Sequence, residues 1–166
     1  MLRIGLDIDD VLADFIGRYY QYFDCINHPE RMQDHIITRN VQRILRQDRD
    51  FWVNLPVINR PDFEPVLYCT KRVNPKVWTK TWLRLNGLPD RPVYQLFNQG
   101  GNKANMIKGR VDVFIDDSVR NVEQLNASGV PALLFRRHLA GFKSIYSLEL
   151  DEITKAYKSI QRWKLK

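Results

Sequence analysis

Short apolar runs recur along the chain, each closed by polar or turn-forming residues. "LRIGLDI" (2–8), "PVLYCT" (65–70), "PVYQLF" (92–97), "VDVFID" (111–116) and "PALLF" (131–135) are short, mostly β-branched, aromatic or Leu, with turn formers nearby. Such runs predict strands buried on both faces. Between them the apolar spacing lengthens to that of a helix. "NPKVWTKTWLRLNG" (74–87) sets Val77, Trp78, Trp82 and Leu85 at helical intervals, with Pro75 at its start and Gly87 at its end. "SVRNVEQLNASG" (118–129) carries a Ser cap, Val119, Val122 and Leu125 at spacings of three, and a Gly stop. Strands alternating with helices predict a parallel sheet covered on both sides, an α/β Rossmann-like three-layer sandwich with a mostly parallel five-stranded sheet.

Residues 14–58 interrupt this alternation. "ADFIGRYYQYF" and "DHIITRNVQRILRQDRDFW" read as helices inserted after the first strand. Ligands of open parallel sheets bind outside the carboxyl ends of the strands, so an insertion leaving from that edge is expected to form a small helical cap over a site. Its aromatics, Phe15, Tyr19, Tyr20, Tyr22, Phe23, Phe51 and Trp52, are expected mainly to pack against one another, with one or two free to stack on a base. Residues 148–166 predict a C-terminal amphipathic helix with Leu150, Ile153, Tyr157, Ile160 and Trp163 on one side. The 166 residues are expected to form one domain.

Composition narrows the picture only a little. Lys and Arg number 26 against 19 Asp and Glu, a net charge of +7 that favours anionic partners. No apolar stretch approaches the ~18 residues of a membrane span, and the start lacks the order of a secretion signal, so a cytoplasmic location is expected. Cys25 and Cys69 fit neither a disulfide framework nor a metal-ligand spacing, and Cys69 is expected to be a buried thiol. His28, His35 and His138 stand without partner spacing and are read as structural or surface residues.

The chemistry lies in the acids. Asp7, Asp9, Asp10 and Asp14 follow the first strand, and Asp116 and Asp117 close the fourth. A parallel sheet brings those strand ends to one edge. Acids at strand ends also serve as turn formers and helix caps, but two pairs converging would repel and call for a cation, and hard carboxylate oxygens suit Mg²⁺ beside a phosphate. Thr70 closes the second strand ahead of Lys71 and Arg72, and Lys103 and Lys108 precede the fourth. These would supply the hydroxyl and the positive charge a phosphate needs.

In that order, strand-DxD, strand-Thr, Lys, strand-DD, the sequence resembles the haloacid dehalogenase (HAD) superfamily of phosphatases across residues 2 to about 135. "DDVLADF", "DFWVNLP" and "CT" are similar to its 5′(3′)-deoxyribonucleotidase branch, with two departures: Asp10 stands where that branch usually has Gly, and "CTKR" lacks its Ser-Pro. The resemblance implies that Asp7 is a nucleophile and that Asp9 is a general acid and base. Mg²⁺ would be held by Asp7, the Asp9 backbone carbonyl and Asp116, with Asp117 bound directly or one layer out. Thr70 and Lys103 would hold the phosphoryl group, with Lys108 the alternative lysine and Asp10 the alternative supporting acid, and Lys71 or Arg72 would add affinity at the pocket rim. The implied substrate is a small phosphorylated molecule, a nucleoside monophosphate first. A phosphate at a nucleic-acid terminus, another phosphorylated metabolite, and a non-enzymatic receiver-like domain are the alternatives.

Overall fold

The computed structural model describes residues 1–24, 45–97 and 101–164. Six strands form one sheet: β1 (Ile4–Leu6), β2 (Leu67–Thr70), β3 (Val93–Gln95), β4 (Val113–Asp116), β5 (Ala132–Phe135) and β6 (Ser144–Ile145). Every pairing among them is parallel, in the order β3-β2-β1-β4-β5-β6. The sheet thus has one strand more than the apolar runs predict. β6 is two residues long and pairs Ser144 with Leu134 and Ile145 with Phe135. A two-residue edge strand carries no periodicity of its own, and only its neighbour makes it a strand.

Successive strand residues face opposite sides, and both sides are apolar. Ile4, Leu6, Tyr68, Val113, Ile115 and Leu133 belong to one core cluster. The alternate residues Leu67, Cys69, Phe114, Ala132 and Leu134 belong to a second. The described helices are α1 (Phe15–Tyr22), α2 (Arg49–Val53), α3 (Lys76–Leu85), α4 (Ala104–Ile107), α5 (Val119–Ala127) and α6 (Leu150–Lys164). α3 and α6 bury Trp82, Leu83, Ile153 and Ala156 in the first cluster, whereas α4 and α5 bury Ala104, Ile107, Val122 and Leu125 in the second. Cys69 is fully buried as expected, and its thiol is pushed up to about 12 by that burial.

α5 follows the sequence closely. Ser118 caps it by accepting from the Asn121 N–H, and Gly129 at φ +80° turns the chain out of it. α3 follows it less closely. Val77 and Leu85 are each 63% exposed, and the buried residues are Thr79, Trp82 and Leu83. Polar bonding rotates the inner face: Thr79 donates to Gln95 Oε1 at 3.1 Å and accepts from Asn74 Nδ2 at 3.1 Å, so a threonine occupies the ground that Val77 was expected to hold.

The β1–β2 crossover uses the inserted segment itself, since no helix lies between Val53 and Leu67. Asp14 caps α1 by accepting from the Gly17 N–H, and Asp48 caps α2 by accepting from the Phe51 N–H. Phe15 stacks on Trp52 with centroids 5.7 Å apart and meets Phe51 edge-on. The expected packing role of these aromatics therefore holds for the described ones. Residues 25–44, with Cys25, His28, His35 and most of the second expected insertion helix, lie outside the described residues, as does the Trp163 side chain. His138 is exposed. No described helix is long and apolar enough to cross a membrane.

Gly5, in the central strand, is demanded by packing rather than by its torsions. A methyl group there would lie 2.8 Å from both Phe114 Cδ2 and Val111 Cγ1. Overpacking of this kind costs roughly 2 kcal/mol. Gly5→Ala is therefore expected to lower the melting temperature by about 4–8 °C, and an unchanged thermal melt would show that the neighbouring side chains yield freely.

Candidate functional site

The strand order reverses between β1 and β4, and a doubly wound sheet opens its crevice at such a point. Register sets the first two acids side by side. Leu6 pairs with Ile115, and the Asp7 N–H donates to the Ile115 carbonyl at 2.9 Å, so Asp7 and Asp116 leave adjacent strand ends together. Asp117 follows, and one carboxylate oxygen from each of the three lies within 4.8 Å of the others.

Lys103 neutralises part of this cluster. Its ammonium Nζ, 1% exposed, lies 2.7 Å from Asp7 Oδ2 and 2.7 Å from Asp116 Oδ2. Burial penalises that ammonium, yet Asp116 and Asp7 more than offset the penalty and hold it above its ordinary range. Burial pushes the Asp7 carboxyl well above the usual carboxylate range; Lys103 opposes the rise, while Asp116 and Asp117 add to it. Asp117 is driven up to about 7, by burial first and by Asp116 next. Lys108, by contrast, is exposed beyond the end of α4, so Lys103 is the lysine at the carboxylates.

Asp116 is further fixed by its own loop. The Ser118 N–H donates to Oδ1 at 2.9 Å, and Asn121 Nδ2 donates to Oδ1 at 3.0 Å and Oδ2 at 3.2 Å. Asn121 also accepts from Lys71 Nζ at 2.8 Å. The sequence reading missed Asn121. The available signal was an amide on the inner side of α5, one residue before Val122.

Asp9 takes a different path. Its side chain is not part of the three-carboxylate cluster. Arg72 Nε donates to its Oδ1 at 2.9 Å and Oδ2 at 3.1 Å, and Arg72 Nη2 donates to Oδ1 at 2.7 Å. Thr70 Oγ1, fully buried at the end of β2, donates to Oδ2 at 3.3 Å. Arg72 does not stand at the rim: it is 1% exposed, because Trp52 and Trp82 enclose its guanidinium. Lys71 is half-buried beside Asn121.

The other two acids of the first loop serve the backbone. Asp14 is the α1 cap already described. Asp10 sits in the left-handed region at φ 57° and accepts from the Ile16 N–H at 2.9 Å. Asp is among the few non-glycine residues that tolerate that region. Burial drives its carboxyl up to about 6.

These groups line a cavity of about 470 Å³. Asp7, Asp9, Thr70, Lys71, Lys103, Asp117 and Asn121 lie on its strand-end side, and Phe15, Ile16, Leu45 and Trp52 of the insertion form an apolar wall. Exposed Arg120 and Arg137 also border it. Fold and site define a doubly wound α/β protein with an acid-rich, lysine-bridged cavity at its switch point. No protein-family model matches the chain, and no curated protein matches it.

The donor set fits a divalent cation: three carboxylates converge, burial resists the ionisation of Asp7 and Asp117, and one ammonium cannot balance all three. For Asp117 the linkage has a definite sign. An acid raised from an ordinary value near 4 to about 7 holds its proton in the folded state, so its ionisation weakens the metal-free fold as pH rises across that window, and a cation must displace the proton to bind. Divalent-ion affinity is thus expected to rise with pH between about 4 and 7. At tenfold above its dissociation constant, the ion should stabilise the fold by about 1.4 kcal/mol, a shift of about 3–6 °C. Thermal melts with and without MgCl₂ at several pH values check this, with Asp117→Asn expected to shrink the shift.

Proposed function

We propose that the protein is a cytoplasmic Mg²⁺-dependent phosphatase that hydrolyses phosphate monoesters through an aspartyl-phosphate, with a nucleoside monophosphate as its first substrate class. The observation that carries this reading is the pairing of Asp7 with a buried Lys103 that also grips Asp116, beside a separate acid, Asp9, across the same cavity. A nucleophile, its charge-balancing lysine and an acid–base group lining one cavity are what phosphoryl transfer asks of a protein.

Asp7 and Asp116, with Asp117 beside them, would hold the ion. When bound, Mg²⁺ supplies positive charge that offsets repulsion between carboxylate and phosphate. Asp7 attacks phosphorus, forming an acyl-phosphate bond as the ester P–O bond breaks, and Asp9 gives its proton to the departing ester oxygen. Water then attacks the same phosphorus, Asp9 takes its proton, and the acyl-phosphate P–O bond breaks to restore the Asp7 carboxylate and release inorganic phosphate. Thr70 donates to a phosphoryl oxygen, and Lys103 balances charge on the group in transfer. The apolar wall of Phe15, Ile16 and Trp52 offers a face for the leaving group.

Arg120 and Arg137 favour a second reading. Two exposed guanidiniums beside the cavity suit a substrate with further phosphates, such as a phosphorylated strand end. Phosphate release across nucleoside monophosphates, sugar phosphates and 3′- or 5′-phosphorylated oligonucleotides separates the two. Activity confined to oligonucleotides and falling steeply with salt would replace the first reading with the second.

Asp7→Asn is expected to reduce phosphate release on the order of 10³-fold or more while leaving the protein folded. Near wild-type turnover would overturn the covalent route. A phosphoenzyme that forms from a phosphodonor and persists for hours without turnover would instead mark a receiver-like acceptor.

A further inference from the structure

Arg72 is an expensive residue to bury. Its side chain is 0% exposed, and its Nη1 has no hydrogen-bond partner among the described residues. A buried ion pair is a poor source of stability because desolvation absorbs most of the Coulombic gain. What such a pair does supply is geometry, since the planar guanidinium fork fixes the plane of the carboxylate it grips.

Everything around Arg72 is arranged to hold that plane. Its Cζ lies 5.3 Å from the Trp52 ring centroid and 5.2 Å from that of Trp82. Both rings are anchored, Trp52 Nε1 donating to the Leu45 carbonyl at 2.6 Å and Trp82 Nε1 to the Leu55 carbonyl at 2.8 Å. The backbone is held too: Gln95 Nε2 donates to the carbonyls of Arg72 and Asn74, and Gln95 Oε1 accepts from Thr79. The chain of contacts ends on Asp9 Oδ1, which takes the two shortest Arg72 bonds. Oδ2 is left with longer contacts, 3.1 Å to Nε and 3.3 Å to Thr70 Oγ1.

We propose that Arg72 is a positioning residue that grips Asp9 by Oδ1 so that Oδ2, beside Thr70, is the oxygen that gives and takes the proton at the reacting ester. This rests on the phosphatase reading above. It assigns Arg72 no contact with the substrate, in place of the affinity role expected at the rim. It also gives Trp52 and Trp82 a task beyond packing, as the walls that keep the fork in plane.

The test compares two leaving groups. An alkoxide cannot depart without a proton, whereas 4-nitrophenolate can. Arg72→Lys keeps the charge and loses the fork. It is expected to slow turnover of the best nucleoside monophosphate by ~10²-fold. The first-turnover burst of nitrophenol from 4-nitrophenyl phosphate should stay within about threefold of wild type, followed by slow turnover because Asp9 must still take the proton of water. In an Asp9→Asn background, measured on the nucleotide, Arg72→Lys should add less than about a twofold loss, since residues acting as a unit are not additive. Trp82→Phe, which keeps a ring over Arg72 but drops the bond to Leu55, is run in parallel in case the Arg72 variant melts too low, and should show the same split in weaker form.

Equal losses on burst and nucleotide turnover, additive losses in the Asp9→Asn background, or no loss at all would overturn the positioning role. A wild type that releases phosphate from no ester would overturn the phosphatase reading and this proposal with it, a result distinct from an active wild type whose variants lose both esters alike.

Discussion

The site depends on one ammonium held between two carboxylates. Lys103 lies 2.7 Å from Asp7 and 2.7 Å from Asp116, and all three are nearly closed to water. Removing Lys103 would leave two buried carboxylates without their cation, whereas losing one carboxylate leaves the ammonium paired with the other. They also remain unbalanced, because Asp117 adds a third carboxylate within 4.8 Å. That surplus links fold to chemistry: the sheet tolerates an acid-rich crevice only where a cation, a proton or both can enter it.

Topology concentrates the acids. β1 and β4 are central neighbours whose helices depart to opposite faces, so the crevice opens where their carboxyl ends meet. Gly5 allows β1 to pack closely against Phe114 and Val111, two residues before Asp7. The insertion then supplies what a sheet edge lacks, an apolar wall. Phe15 and Trp52 stack on each other beside the acids, and Trp52 also bounds Arg72, so one aromatic group serves both the insertion's packing and the site's geometry.

What the sequence made legible followed from periodicity and from strand ends. Long apolar runs identified five strands because each is buried on both faces; β6 escaped because two residues at an edge carry no pattern. Asp7 and Asp116 were legible because parallel strands must end on one edge, whereas Lys103, just before α4, came from the motif order of the resemblance alone. Two things were not. The inner face of α3 was misread because hydroxyl and amide bonding through Asn74, Thr79 and Gln95 overrides apolar spacing there. Arg72 was expected at the pocket rim, adding affinity for substrate, because nothing in the local sequence shows that Trp52 and Trp82, from distant segments, close over it.

The separation of Asp9 from the other acids bears most directly on chemistry. Two residues from Asp7, it could have joined the cluster and become a further oxygen for the same ion. A carboxylate with both oxygens committed to a metal and to Lys103 would have no oxygen left to exchange a proton. Arg72 instead grips one oxygen of Asp9, and the other meets Thr70. One short loop thereby divides its acids by environment: Asp7 faces a cationic centre, Asp9 a guanidinium fork, and Asp10 and Asp14 the backbone amides that shape the turn. Nucleophilic attack and proton transfer ask opposite things of a carboxyl group, and two acids on the same strand end can meet both demands only if something holds them apart. In the proposed mechanism Asp7 meets the first demand and Asp9 the second, and a buried arginine between two tryptophans is what grips Asp9.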